Sequence, residues 1–269
     1  MSDDEAEAGG YLLDNRQREA GERFEALSEL FDESTFRHFR RVGIGEGWRC
    51  WEVGAGGPSV PAWLGRHVGI GGVVVATDID VSWTESAVSE NVEVRRHDVG
   101  VEPPPGRNFD LVHARLVLVH VEQREQALRT MIDALRPGGW LMLEDADPGL
   151  QPLICIDEYG PEQELANRLR RGFRELMAGR GADLEYGRTL PRLLREAGLA
   201  DVHADSYFPI TSPACDRLEA ATVRHIRGRL VENGLATEEE IDRHLEAVES
   251  GRLDLATSPM VTAWGRKPL

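Results

Sequence analysis

A chain of 269 residues with 41% hydrophobic content is long enough to bury a real core, as one large or two small domains. Its 47 Asp and Glu outnumber 31 Lys and Arg, and the formal charge of −16 is spread along the chain, a field that repels phosphate backbones and anionic lipid and argues against nucleic-acid or membrane partners. The three cysteines (Cys50, Cys155, Cys215) form no CxxC pair, the N-terminus has no apolar leader and no apolar run approaches about 18 residues; these features exclude a zinc framework and a membrane span, and a soluble cytoplasmic protein is expected.

Residues 1–10 read as a frayed acidic tail. From about Arg16, Phe24, Leu27, Leu30 and Phe31 recur at helical spacing. A second helix is expected after Asp32, with Ser34 as its N-cap and Phe36, Phe39 and Val42 on its apolar side. The stretch Trp48 to Asp80 then changes character. A short apolar strand, Cys50 to Val53, runs into Gly54, Gly56 and Gly57, a helix is expected to start at Pro58, and a second strand, Val73 to Thr77, ends on Asp78. Asp78 lies 24 positions after Gly54, the arrangement in which glycines bring the backbone close to a nucleotide and the acid takes ribose hydroxyls. Glu52, two positions before Gly54, is out of place beside a pyrophosphate and suits a ligand that carries positive charge.

A third strand is expected over Val92 to Arg96, leading to Asp98 and Val99, and a fourth over Leu111 to Ala114, opened by Phe109-Asp110. Leu128, Met131, Ile132 and Leu135 mark a helix that ends at Arg136-Pro137-Gly138-Gly139, before a fifth strand over Trp140 to Leu143. Further on, Leu165, Leu169, Phe173 and Leu176 mark one helix and Leu190, Leu193, Leu194 and Ala197 another. A sixth strand follows over Asp201 to Phe208, then helices near Cys215 to Glu232 and from Thr237, with Thr237 and Glu240 as a capping box, and a final strand over Met260 to Trp264. Strands alternating with helices in this way require an α/β doubly wound sheet.

Four blocks, E-V-G-A-G-G, D-I-D, F-D-L-V and L-R-P-G-G, stand in order over about 100 residues, and together they resemble the motifs of class I S-adenosylmethionine-dependent methyltransferases. Pro58 stands where that family usually has a third glycine. The resemblance implies a Rossmann-like seven-stranded sheet with the last strand antiparallel, N-terminal helices and a helical insertion before the last strand. It implies one domain over 1–269: a helical cap (1–45), a cofactor-binding core (46–147), and substrate-side helices with strands six and seven (148–269). The insertion is expected to serve as a substrate lid or a homodimer contact.

The cofactor implied is S-adenosyl-L-methionine, and its candidate contacts follow from the matched positions. Glu52 lies near the amino or sulfonium end, Gly54, Ala55 and Gly56 pass beneath the methionine part, Asp78 and Ile79 hold the ribose side, Asp98 and Val99 meet adenine, and Ala114 and Arg115 present backbone to the methionine amine. Tyr11 is either a residue that closes the site or an anchor for its segment, and Arg115 is equally readable as a salt-bridged scaffold residue. His120 is the candidate general base, with a structural role behind the cofactor as its alternative; His113, Glu144 and Asp145 are further candidates. No metal is expected, since the acid pair 144–145 has no third ligand in the sequence. The segment after strand four, His113-Ala114-Arg115-Leu116, lacks the Asn-Pro-Pro-aromatic motif of methyltransferases acting on DNA amines and protein glutamine. A small organic acceptor is therefore expected, methylated on O, N or C. The alternatives are a protein that binds S-adenosylmethionine without transferring methyl, and a NAD-dependent oxidoreductase.

Overall fold

The computed structural model describes residues 18–269. In chain order the elements are α1 (Arg18–Val42), β1 (Arg49–Val53), α2 (Ser59–Val68), β2 (Val73–Asp78), β3 (Val92–Arg96), β4 (Phe109–Arg115), α3 (Arg124–Ala134), β5 (Leu135–Ala146), α4 (Pro161–Gly179), α5 (Tyr186–Glu196), β6 (Ala200–Tyr207), α6 (Pro213–Glu232), α7 (Glu238–Glu249) and β7 (Met260–Arg266). Short 3-10 turns add Glu85–Ala87 and Leu118–His120.

The strands form one sheet of order β3-β2-β1-β4-β5-β7-β6. The pairs from β3 to β5 are parallel, and β7 runs antiparallel to both β5 and β6. The order reverses on either side of β1, and the glycine turn after β1 lies at that switch point, where open α/β sheets leave a crevice beyond the strand carboxyl ends. Near-continuous apolar strands fit a sheet covered on both faces. Trp51, Val53, Phe109, Leu141 and Leu143 pack with Met131 of α3 and Leu190 and Leu194 of α5. Cys50, Leu111, Met142 and Trp264 pack on the other face with Phe39 of α1 and Trp63 and Leu64 of α2.

Contacts divide the chain into two compact units. One takes residues 31–147, 185–207 and 260–269 and so holds the whole sheet. The other takes residues 18–30 together with 148–184 and 208–259. The expected 1–45 cap is thus divided after Leu30, and the expected 148–269 segment contributes to both units. In the helical unit, Glu219 of α6 accepts from Arg170 of α4 at 2.7 Å and pairs with the Nε2 of His244 on α7 at 3.0 Å, so one carboxylate ties three helices. The Thr237–Glu240 capping box is present at the start of α7.

Two expectations change. Residues 18–42 form one helix, not two, and Ser34 is interior rather than an N-cap. No Pro or Gly interrupts Leu30 to Phe36, and Asp32 and Thr35, on either side of Ser34, spend their side chains on Arg115 and Glu144. The turn at 136–139 is the second: α3 already ends at Ala134, and Leu135 to Gly139 run as the first part of β5. The remaining boundaries shift by up to three residues, β5 ending at Ala146 and α2 starting at Ser59 behind Pro58.

The contact of α5 with the sheet is tight at Gly187, where an added Cβ would lie 2.7 Å from the Asp145 carbonyl oxygen. Gly187→Ala is therefore expected to lower stability by about 1–3 kcal/mol in urea unfolding. Gly179→Ala has nothing within 4 Å and serves as its neutral or slightly stabilised control.

Candidate active site

The glycine turn is built by backbone conformation. Gly54 and Gly56 have φ of 62° and 59°, a region open to glycine at little cost. The Ala55 N–H donates to the Thr77 carbonyl at 2.9 Å, which seats the turn on the end of β2. Asp78 completes it: Oδ2 accepts the Gly56 N–H at 2.9 Å and Oδ1 the Asp80 N–H at 3.0 Å. Burial pushes the Asp78 carboxyl above its ordinary value, against the pull of these amides. No acid stands in the first turn of α2, so its free N–H groups meet no competing carboxylate on their own helix.

Glu52 is buried and turned to the α1 side of the sheet. Its Oε2 lies 2.6 Å from Nδ1 of His113, its register partner on β4, and His113 Nε2 lies 3.3 Å from Oε2 of Glu144 on β5. Glu144 also accepts from the hydroxyls of Thr35 at 2.5 Å and Thr262 at 2.7 Å. Phe39 closes over the imidazole edge-on, at 4.8 Å between ring centres. Burial pushes Glu52 up; at Glu144 the His113 imidazolium, the Arg115 charge and the Thr35 hydroxyl outweigh burial and hold it down at about 2. The two carboxylates outweigh burial at His113 and raise it to about 9. His113, a candidate base from sequence, is thus a sealed, charged partner of two acids rather than an exposed proton acceptor.

Arg115 continues this network, donating to Asp32 at 2.9 Å and Thr35 at 3.1 Å, so its side chain is the salt-bridged scaffold of the two readings. Burial pushes the Asp32 carboxyl up, against the lowering influence of Arg115 and of Ser59 at the start of α2. Beside this network, His38 Nε2 lies 2.9 Å from Asp205 of β6.

The other sequence candidates sit as follows. Ile79 is 56% exposed just past β2. Asp98 is half-buried and accepts the Gly100 N–H at 2.9 Å, and Val99 is buried in the core. Ala114 is buried at the end of β4, and His120 is half-buried on the 3-10 turn that follows. The main-chain ends of β1, β2 and β4 are brought side by side, whereas the Glu144 and Asp145 side chains point to opposite faces of the sheet. Tyr11 lies outside the described residues. Sequence reading missed Asp32 and Thr35 as partners of the strand ends; within the polar run Asp32-Glu33-Ser34-Thr35 nothing sets these two apart. Among the described residues no group of three or more His, Cys, Asp or Glu is placed to hold a metal, and no helix is long and apolar enough to cross a membrane.

A family model described as a methyltransferase domain matches residues 12–204. Methyltransferase str2 of Strobilurus tenacellus is 34% identical over 41% of this chain and 40% of its own length. Methyltransferase GfsG of Streptomyces halstedii is 28% identical over 64% of this chain and 60% of its own. Among solved structures, phosphoethanolamine N-methyltransferase 2 of Haemonchus contortus, in complex with phosphomonomethylethanolamine and S-adenosylhomocysteine, superposes with a TM-score of 0.58 at 15% identity, over 96% of this chain and 59% of that one. The chain thus spans about 40–60% of the length of these relatives.

The buried pairing makes a prediction. His113→Ala leaves Glu52 and Glu144 without their shared cation and is expected to cost about 3–5 kcal/mol in chemical unfolding. The raised His113 value contributes stability that is complete below its unfolded value of 6.5 and is lost as pH rises through about 9. The lowered Glu144 value contributes stability present above 4.5 and lost as pH falls through about 2. Thermal unfolding across pH should lose the alkaline decline in His113→Gln; an unchanged decline would assign it to other groups.

Proposed function

The chain belongs to the class I S-adenosylmethionine-dependent methyltransferases, and we propose that it transfers the methyl group of that cofactor to a small organic acceptor by in-line displacement. The observation that carries this reading is the glycine turn closed by Asp78: two left-handed glycines, bare backbone and a buried carboxylate meet at the switch point of the sheet. These residues fit the cofactor. The Gly54–Gly56 backbone offers a surface with no side chain larger than the Ala55 methyl, and Asp78 carries spare lone pairs beyond those given to the Gly56 and Asp80 amides. Glu52 and Glu144 put carboxylates beneath the strand ends, where a cationic ligand is favoured over pyrophosphate. That same feature argues against the nicotinamide alternative.

On this reading Gly54, Ala55 and Gly56 lie under the methionine part, Asp78 and Ile79 flank the ribose, and Asp98 and Val99 receive adenine. Ala114 and Arg115 present main chain rather than side chain, because the Arg115 guanidinium is held by Asp32. When bound, S-adenosylmethionine supplies a methyl group already activated by a sulfonium leaving group. The protein's part is then to align the acceptor, exclude water and take a proton where the acceptor has one to lose. On this reading the last of these roles falls to His120, on the 3-10 turn beyond β4. The dispersed negative charge of the chain supports a small acceptor over a nucleic acid.

Calorimetry with S-adenosylmethionine, S-adenosylhomocysteine and NAD tests the cofactor assignment. Saturable binding of both adenosyl ligands without NAD is expected, and failure of both removes the roles given to Asp78 and Asp98. Asp78→Ala should weaken S-adenosylmethionine binding about tenfold or more, since a charged acceptor and the brace on Gly56 go together. Cooperative unfolding should persist; unchanged affinity would take Asp78 out of the site.

A further inference from the structure

The corner where the chain leaves β4 is fastened by hydrogen bonds from two sides. On one side stands α1. Nη1 of Arg115 donates to Asp32 Oδ1 at 2.9 Å and to Thr35 Oγ1 at 3.1 Å, and the ion pair is shielded, its side chains 12% and 17% exposed. On the other side stands β5, where the Leu116 N–H donates to the Glu144 carbonyl at 2.7 Å. Thr35 joins the two sides, because its hydroxyl donates to the Glu144 carboxylate. All of these residues belong to the unit that holds the sheet.

What they fasten is strained. Leu116 has φ of 57°, a region L side chains disfavour. It delivers the next side chain, Val117, so close to the glycine turn that a Cβ on Gly54 would lie 2.3 Å from Val117 Cγ2. Strain of this kind persists where the surroundings over-determine it. A shielded carboxylate–guanidinium bond supplies that constraint, being charge-assisted and directional where apolar packing is neither. With its guanidinium spent on α1, Arg115 has main chain to offer a ligand at the strand ends.

We propose that Asp32 is a positioning residue: through Arg115 it locks the 115–117 corner against Gly54 and so sets the seat of the amino-acid end of the cofactor. The proposal rests on the S-adenosylmethionine reading for its ligand. It assigns Asp32 no contact with cofactor or acceptor. Its effect is confined to the methionine part, since the adenosine part falls on that reading to Asp78 and Asp98.

The test uses the full chain and two ligands, S-adenosylhomocysteine and 5′-methylthioadenosine, the second of which keeps the adenosine and the sulfur but lacks the amino-acid end. In Asp32→Ala the calorimetric affinity for S-adenosylhomocysteine should fall about tenfold while that for 5′-methylthioadenosine stays within about twofold, a split that a general loss of stability does not produce. Arg115→Met should show the same split, and the double variant should bind no more weakly than either single one, because all three break one interaction. Equal losses for both ligands, unchanged affinity for S-adenosylhomocysteine in a folded Asp32→Ala, or losses that add in the double variant each overturn the proposal. Should Asp32→Ala not fold, Asp32→Asn keeps the size and one acceptor without the charge; about threefold weaker S-adenosylhomocysteine binding is expected, and no loss overturns the proposal. If the wild type does not bind S-adenosylhomocysteine, the cofactor reading fails on its own. In that case, or where 5′-methylthioadenosine binds too weakly to titrate, amide hydrogen exchange at Leu116 decides the lock: exchange about tenfold faster in Asp32→Ala upholds it, and exchange at the wild-type rate ends it.

Discussion

The arrangement depends on one buried contact, the imidazole of His113 held between Glu52 and Glu144. Three adjacent parallel strands each contribute one titratable side chain to it, and none of the three reaches solvent. A lone buried acid at either position would surrender its charge or drive the strand ends apart. With the imidazole shared, and with Thr35 and Thr262 donating to Glu144, charge stays beneath the carboxyl edge of the sheet. The same contact fixes residues 31–42 of α1, since Thr35 and Phe39 meet two members of the stack and Asp32 takes the guanidinium of Arg115.

Around that stack the backbone does the shaping. The turn after β1 gives up side chains at Gly54 and Gly56, the loop after β4 accepts a left-handed leucine, and a buried acid at the end of β5 keeps Oδ1 without a partner. Each departs from what is locally favourable. They gather at the ends of neighbouring strands, where rigid sheet geometry can hold them and where a ligand of this fold is received.

The comparisons and the topology agree on the family, yet neither names an acceptor. Family membership follows from a match covering residues 12–204, and the strand order with its antiparallel β7 is independent of that match. Residues that would discriminate among acceptors are not among the motif positions. This is a general property of folds that graft different chemistries onto one scaffold.

Much of the architecture was legible in the sequence. Strands β1 to β5 announced themselves through short apolar runs punctuated by Gly and Pro, β3 to the residue, and the capping box of α7 was read from Thr237 and Glu240 alone. These signals are local: a period, a turn residue, a cap. Tertiary partners decided the rest. Asp32 and Ser34 look like a break in sequence and lie inside one helix, because Arg115 takes Asp32 and Glu144 takes the neighbouring Thr35 from strands far along the chain. Glu52 was legible as an acid before a glycine turn, but not as half of a pair with His113, since facing positions on neighbouring parallel strands carry no common mark in sequence. Glu144 and Asp145 look alike in the chain and end with opposite fates, one held at about 2 and the other raised to about 8, because alternate strand residues face opposite sides of the sheet, Glu144 onto His113 and two hydroxyls and Asp145 into a dry interior. The sequence by itself determined the order of elements and the cofactor-type motif; only the folded sheet decided which charges meet, because that depends on strand order and register rather than on spacing along the chain.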